Sequence, residues 1–227
     1  MEYFWYWKPE TRFPPPAVMH PEDFDHTDRL NLACTQTGLA RQQRTLVRAW
    51  CDVLPTMKGV RLLWFSSRVS QDLFDAACRV PELNGLYIKW SGIVDLSSIE
   101  GTHALRYFHL GQSARVESIE PLAKCSNLRW LGLELLSRVR DLGAVGRLAG
   151  LEGLSLEGSM DTTWRVKSLA LGLLTNLRYL SIANLRSEDR SLAGLLSLSQ
   201  LLTFRHATWW NAAELDEIRR RNPGLAS

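Results

Sequence analysis

A six-residue template, LxxLxL, recurs seven times in this chain and limits what it can fold into more than any other feature. It reads VRLLWF from residue 60, LNGLYI from 83, LRYFHL from 105, LRWLGL from 128, LEGLSL from 151, LRYLSI from 177 and LLTFRH from 201. Successive starts lie 23, 22, 23, 23, 26 and 24 residues apart. A period in this range marks a repeat architecture, in which no unit can bury its apolar face alone and stacking supplies a shared core. Lapses from the template are conservative, the sharpest being His206 in the last apolar slot.

Inside the template every second residue is apolar, which is the period of a half-buried strand. Downstream the spacing changes to every third residue, as in Ile93, Leu96, Ile99 and in Val139, Leu142, Val145, Leu148. That is the rhythm of a 3₁₀ return segment with one face inward. Over residues 60 to 206 the pattern resembles the leucine-rich repeat family, and within it the short bacterial class to which internalins belong. The resemblance implies an α/β solenoid: a leucine-rich-repeat horseshoe with a parallel concave sheet, a convex side of 3₁₀ and short helices, and helical caps at both ends. It divides the chain into an N-terminal cap (1–58), seven repeats (59–207) and a C-terminal helical cap (208–227). One departure from the family pattern concerns the asparagine often placed three residues past the last strand leucine. Here Ser91, Ser113, Leu136, Ser159 and Leu185 stand at that place. Serine can hydrogen-bond loop backbone in its stead and leucine cannot, so irregular loops are expected, above all around GSMDTTWR, 158–165.

For the ends, LARQQRTLVRAWCDVLP (39–55) puts Leu46, Val47, Trp50, Val53 and Leu54 on one helical face and stops at Pro55. RLNLA, 29–33, reads as a degenerate eighth strand, and the aromatic run EYFWYW, 2–7, is expected to cover the open end of the core. At the other end Asn211 with Glu214 forms a capping-box-like start, and Leu215 and Ile218 give a one-sided helix that ends before Asn222-Pro223.

Strand alternation sorts the remaining residues into three columns on the concave face. The third-place column is Leu62, Gly85, Tyr107, Trp130, Gly153, Tyr179, Thr203; the fifth is Trp64, Tyr87, His109, Gly132, Ser155, Ser181, Arg205; the seventh is Ser66, Lys89, Gly111, Glu134, Glu157, Ala183, Ala207. Trp64, Tyr87, Tyr107, His109 and Trp130 then form one aromatic patch, with Lys89, Glu134, Glu157, Tyr179 and Arg205 around it. These ten residues are the expected partner-binding set, because exposed aromatic clusters mark contact surfaces. Seven strands at about 4.8 Å spacing give the three columns on the order of 380 Å², against about 800 Å² per side in a standard protein interface. Loops must contribute, and Trp90, Trp164, Trp209 and Trp210 are candidates for contact or for core.

Other chemistry finds little support. His109 and Glu134 invite a general-base reading, but the concave serines Ser155 and Ser181 lie roughly 10 Å away and no cysteine is on this face, so no catalytic residue is assigned. HPEDFDHTD, 20–28, is rich in metal-capable side chains yet matches neither HExxH nor a calcium loop. It reads as an exposed acidic turn, with a small-molecule or metal site built from this His/Asp/Glu segment, His20 and His26 included, and the N-terminal aromatics as the alternative function. Four cysteines, Cys34, Cys51, Cys78 and Cys125, have no metal-ligand spacing. Arg61, Arg106, Arg129 and Arg178 repeat at the second template place, but the row is broken by Asn84 and Glu152 and the formal charge is only +3, so solvated charge is expected rather than nucleic-acid binding. The first twenty residues lack the apolar run of a signal peptide, and no apolar stretch is long enough to span a membrane. The expectation is a cytoplasmic, non-enzymatic protein-binding module without cofactor, with adaptor, effector and toxin-immunity roles all open to it.

Overall fold

The computed structural model describes residues 14–159, 161–207 and 210–225. The aromatic run at 2–7 and Trp209 therefore lie outside the described residues. Eight strands form one parallel sheet: β1 (Arg29–Leu32), β2 (Leu62–Phe65), β3 (Gly85–Ile88), β4 (Tyr107–Leu110), β5 (Trp130–Glu134), β6 (Gly153–Glu157), β8 (Tyr179–Ala183) and β10 (Thr203–Ala207). Their order in the sheet is their order in the chain. The register pairs each template place with the same place in the next repeat, as in Tyr87 with His109 and Tyr107 with Trp130. RLNL at 29–32 does form an eighth strand, paired with β2 from Arg29↔Leu62 to Leu32↔Phe65.

The ladder starts at the second template place. The Arg61 carbonyl accepts the N–H of both Asn84 (2.7 Å) and Gly85 (2.9 Å), and the Arg129 carbonyl accepts those of Glu152 (2.8 Å) and Gly153 (3.0 Å). The side chains of this row meet acids at the sheet edge, Arg61 with Glu82 and Arg129 with Glu152. They are solvated charge.

Template leucines point into one continuous core. Leu105, Phe108 and Leu110 are fully buried, as are Leu128, Leu131 and Leu133 of the next repeat to within about a percent. Burying each such side chain contributes about 2 kcal/mol. The three-residue rhythm is also inward, with Ile93, Leu96, Ile99, Val139, Leu142, Val145 and Leu148 all buried. On the convex side, α1 (Ala40–Val53) and α2 (Gln71–Ala77) cover the first repeats, while 3₁₀ turns at Ser97–Gly101 and Glu120–Lys124 and the short α3 (Gly143–Gly146) follow.

The loops after the strands follow the chemistry of the missing asparagine. Ser91 and Ser113 share a 2.6 Å hydrogen bond, Ser91 accepts from the Ile93 N–H, and Ser113 donates to the Gly111 carbonyl. Leu136 and Leu185 instead join the core at zero exposure. Around 158–165 the described residues before Trp164 form an irregular loop, as expected, but the segment ends in β7 (Trp164–Val166), which pairs in parallel with β9 (Leu185–Ser187) as a small second sheet. Trp164 anchors it, fully buried, with its indole N–H donated to the Val139 carbonyl at 2.7 Å. That satisfied, enclosed indole is core and not contact surface.

At the N-terminal end, Val18 pairs with Leu32 and covers the outer edge of β1, a position that would otherwise present unpaired backbone. Leu46 and Trp50 of α1 are buried beside it, and the Trp50 indole donates to the Met19 carbonyl. At the C-terminal end, Asn211 accepts from the Ala213 N–H and starts α4 (Ala212–Arg221). The expected reciprocal half of a capping box is corrected: Glu214 reaches across to the previous repeat, accepting from the Ser191 hydroxyl and the Leu192 N–H. Asn222, 3 % exposed, closes the last repeat by accepting from the Leu201 N–H and donating to the carbonyls of Leu198 and Ile218.

Candidate functional site: the concave sheet face

The three columns lie where strand alternation puts them, and their aromatic side chains pack against one another across the strands. Tyr87 of β3 and His109 of β4 stack with ring centroids 4.5 Å apart and planes 13° from parallel. Trp130 of β5 leans over Gly153 of β6 and stacks on Tyr179 of β8 at 5.3 Å. The consequence is a correction to the expected exposure. Trp64 and Trp130 are each only 5 % exposed, while Tyr87, Tyr107, His109 and Tyr179 are half-buried. Parallel strands about 4.8 Å apart bring large rings within contact of their register neighbours, so each covers the next.

Beside the rings is a polar strip. Glu134 and Glu157 are register partners in β5 and β6. Glu134 Oε2 lies 3.3 Å from where a Cβ would stand on Gly111, so the glycine leaves room for the carboxylate to lean toward His109, whose Nε2 is 3.7 Å away. The His109 imidazole beside it holds the Glu134 carboxyl below its ordinary range against the opposing effect of burial, and the charge of Lys89 acts in the same direction. Glu157 accepts from the hydroxyls of Ser155 and Ser181. Both serines are thus engaged with a carboxylate. Lys89 is exposed, its ammonium 5.5 Å from the ring of half-buried Trp90. Arg205 is exposed on β10 at the far end of the sheet, and Trp210 packs against the core.

Away from this face, His20 stands 3.7 Å from Glu22 in a 3₁₀ turn at Pro21–Asp23, and the His26 ring tilts against buried Phe24. Among the described residues no three His, Cys, Asp or Glu side chains converge on a point where a metal could sit. All four cysteines are free. Burial pushes the thiols of Cys34, Cys51 and Cys125 up to about 11 and that of Cys78 well above its usual value, so none is a thiolate at neutral pH. Among the described residues no helix is long and apolar enough to cross a membrane.

Two aspects of the face escaped the sequence reading. The glycines at 111 and 153 act as spaces into which a neighbour leans, and Ser155 and Ser181 serve to hold Glu157. A glycine at a column position next to a large side chain is the signal that could have shown the first.

Neither a protein-family model nor a curated protein sequence matches the chain. Solved structures do. Internalin C2 of Listeria monocytogenes is similar with a TM-score of 0.58 at 21 % identity, over 78 % of this chain and 78 % of that one. An internalin of the same organism, inlF, is similar with a TM-score of 0.61 at 17 % identity, over 87 % of this chain and 52 % of that one. The fold is that of the internalin leucine-rich repeats.

Proposed function

We propose that this leucine-rich-repeat chain is a non-enzymatic protein-binding module whose concave face receives the partner. The observation that carries this reading is the stacked, register-aligned face itself. Tyr87, Tyr107, His109 and Tyr179 offer rigid edges, Glu134 and Glu157 a fixed acidic strip, and Lys89 and Arg205 exposed cations at either side. Rings already stacked lose little freedom on binding, which favours affinity per unit area. Trp64 and Trp130 are buried, and Trp130 holds Tyr179 in place by stacking on it. Eight strands give the columns a length of about 34 Å, so the partner must also reach the loops beyond the strands, where half-buried Trp90 is the nearest aromatic.

The four free, protonated thiols support a reducing compartment such as the cytoplasm, and an adaptor, effector or toxin-neutralising role remains compatible with the face. The test is affinity capture with the native chain, a Tyr87→Ala, Tyr107→Ala variant and an Arg165→Ala variant on exposed β7. A partner retained by the native chain and by the β7 variant but lost by the concave variant is the expected result. Retention of the same proteins by all three would sink the concave-face reading.

A further inference from the structure

The outer side of the first repeats carries a second feature that the concave face does not use. An open groove of about 900 Å³ runs between α1, the segment after β2 and the turns after β3 and β4. Arg44 and Arg48 line it one helical turn apart on α1, Arg68 after β2 and Arg115 after β4; Asp72 is the single acid among its lining residues. Half-buried Val47 and exposed Val94 supply apolar surface. All four arginines are exposed. Among the described residues none of them has a carboxylate within ion-pair distance, whereas Arg138, Arg140 and Arg147 on the same side of the solenoid hold Glu117, Glu188 and Glu120.

The walls are fixed without any ligand. Gln43 of α1 donates to the carbonyls of Thr35 and Thr37 at 3.0 and 2.6 Å, and Thr35 donates to the Arg68 carbonyl at 2.8 Å. Gln71 of α2 accepts from the N–H groups of Val94 and Asp95 and donates to the Asp95 carbonyl. A preformed groove spends little on ordering when it is filled. Cys51 also lines it, but burial and then the charge of Asp72 push its thiol up to about 11, so it is no nucleophile.

We propose that this groove docks an acidic segment of a protein partner, whose carboxylates meet Arg44, Arg48, Arg68 and Arg115 while an apolar side chain rests on Val47 and Val94. Guanidinium forks match carboxylates in planar, paired geometry. Arg68 and Arg115 issue from strands two places apart, roughly 10 Å, a spread that suits several carboxylates along a chain better than one compact phosphate. The apolar surface between them likewise suits a segment with hydrophobic residues. This docking does not depend on the concave-face reading.

The test is fluorescence anisotropy with the full chain and a fluorescein-labelled peptide, Glu-Leu-Glu-Glu-Leu-Glu, beside its counterpart with Gln for every Glu. Saturable binding is expected for the acidic peptide only, weakened about tenfold or more between roughly 50 and 300 mM salt as exposed charges are screened. An Arg48→Ala, Arg68→Ala variant should weaken it at least about tenfold, and Arg48→Glu, Arg68→Glu should abolish it. These side chains are exposed, so unchanged thermal unfolding is expected and is measured alongside. The concave Tyr87→Ala, Tyr107→Ala variant should bind the peptide like the native chain. Equal binding by native and arginine variants, absence of saturation below about 1 mM, or displacement by inorganic phosphate at peptide concentrations would each overturn the proposal, the last in favour of a phosphate-bearing ligand.

Discussion

Trp130 lies across Gly153: a Cβ added to that glycine would fall 2.2 Å from the indole Cε3 and 2.4 Å from Cζ3. The ring reaches Tyr179 only because the intervening strand offers no side chain there. Gly153→Ala should therefore displace the indole and break its stack on Tyr179, lowering stability by about 1–3 kcal/mol. Gly85→Ala is the comparison, since its Cβ would meet only the end of the Leu62 side chain, Cδ2 at 2.7 Å. Urea unfolding should show the smaller loss at Gly85, and near-ultraviolet circular dichroism should change mainly in the Gly153 variant.

Glu134 makes the fold sensitive to acid on the concave face. Its carboxyl is held below its ordinary value by the neighbouring His109 imidazole, 3.7 Å away. A depressed folded-state pKa stabilises the native state above the unfolded value, about 4.3, and that contribution is lost as pH falls through the folded value. The stability gap between the native chain and Glu134→Gln should be open near pH 6 and close below about pH 4. Thermal melts at stepped pH measure it; a gap that persists at low pH would contradict the assignment.

Asn222 satisfies three backbone groups with one side chain at the last repeat. Asn222→Ala leaves the Leu201 N–H and the carbonyls of Leu198 and Ile218 without it and should cost about 3 kcal/mol. Asn222→Asp should be worse, because it keeps the acceptor but sets a buried carboxylate against two carbonyls. Urea midpoints should fall in that order.

Trp164→Phe tests whether that tryptophan is core. Loss of buried volume and of the donor to the Val139 carbonyl should lower stability by about 2–3 kcal/mol. Capture of a partner should be unaffected under conditions where the variant remains folded.

The strands and their register were legible because two periods coincide: alternate residues within each template, and a near-constant spacing between templates. Even β1 could be read, from four residues, Arg29 to Leu32. What could not be read depended on partners far apart in the chain. The burial of Trp130 involves Tyr179, two strands on, and the destination of Glu214 is Ser191 and Leu192 in the preceding repeat. The pairing of β7 with β9 was hidden for another reason. Leu185 departs from the asparagine rule, which reads as a defect until the second sheet supplies its backbone partners. The arginine groove was equally invisible, since its four cations come from the N-terminal cap and two separate repeats and share no motif.

The change of convex structure along the solenoid also sets how tightly the sheet arcs. A packed α-helix is about 10 Å across, and a 3₁₀ turn is narrower. The units carrying α1 and α2 are therefore wedges with a broad outer rim, whereas those backed by 3₁₀ turns at Ser97–Gly101 and Glu120–Lys124 are closer to parallel slabs. Wedges stack at a larger angle than slabs, so β1 to β3, which carry Trp64, are the strands expected to arc most tightly, and the 3₁₀-backed repeats that follow are expected to lie flatter.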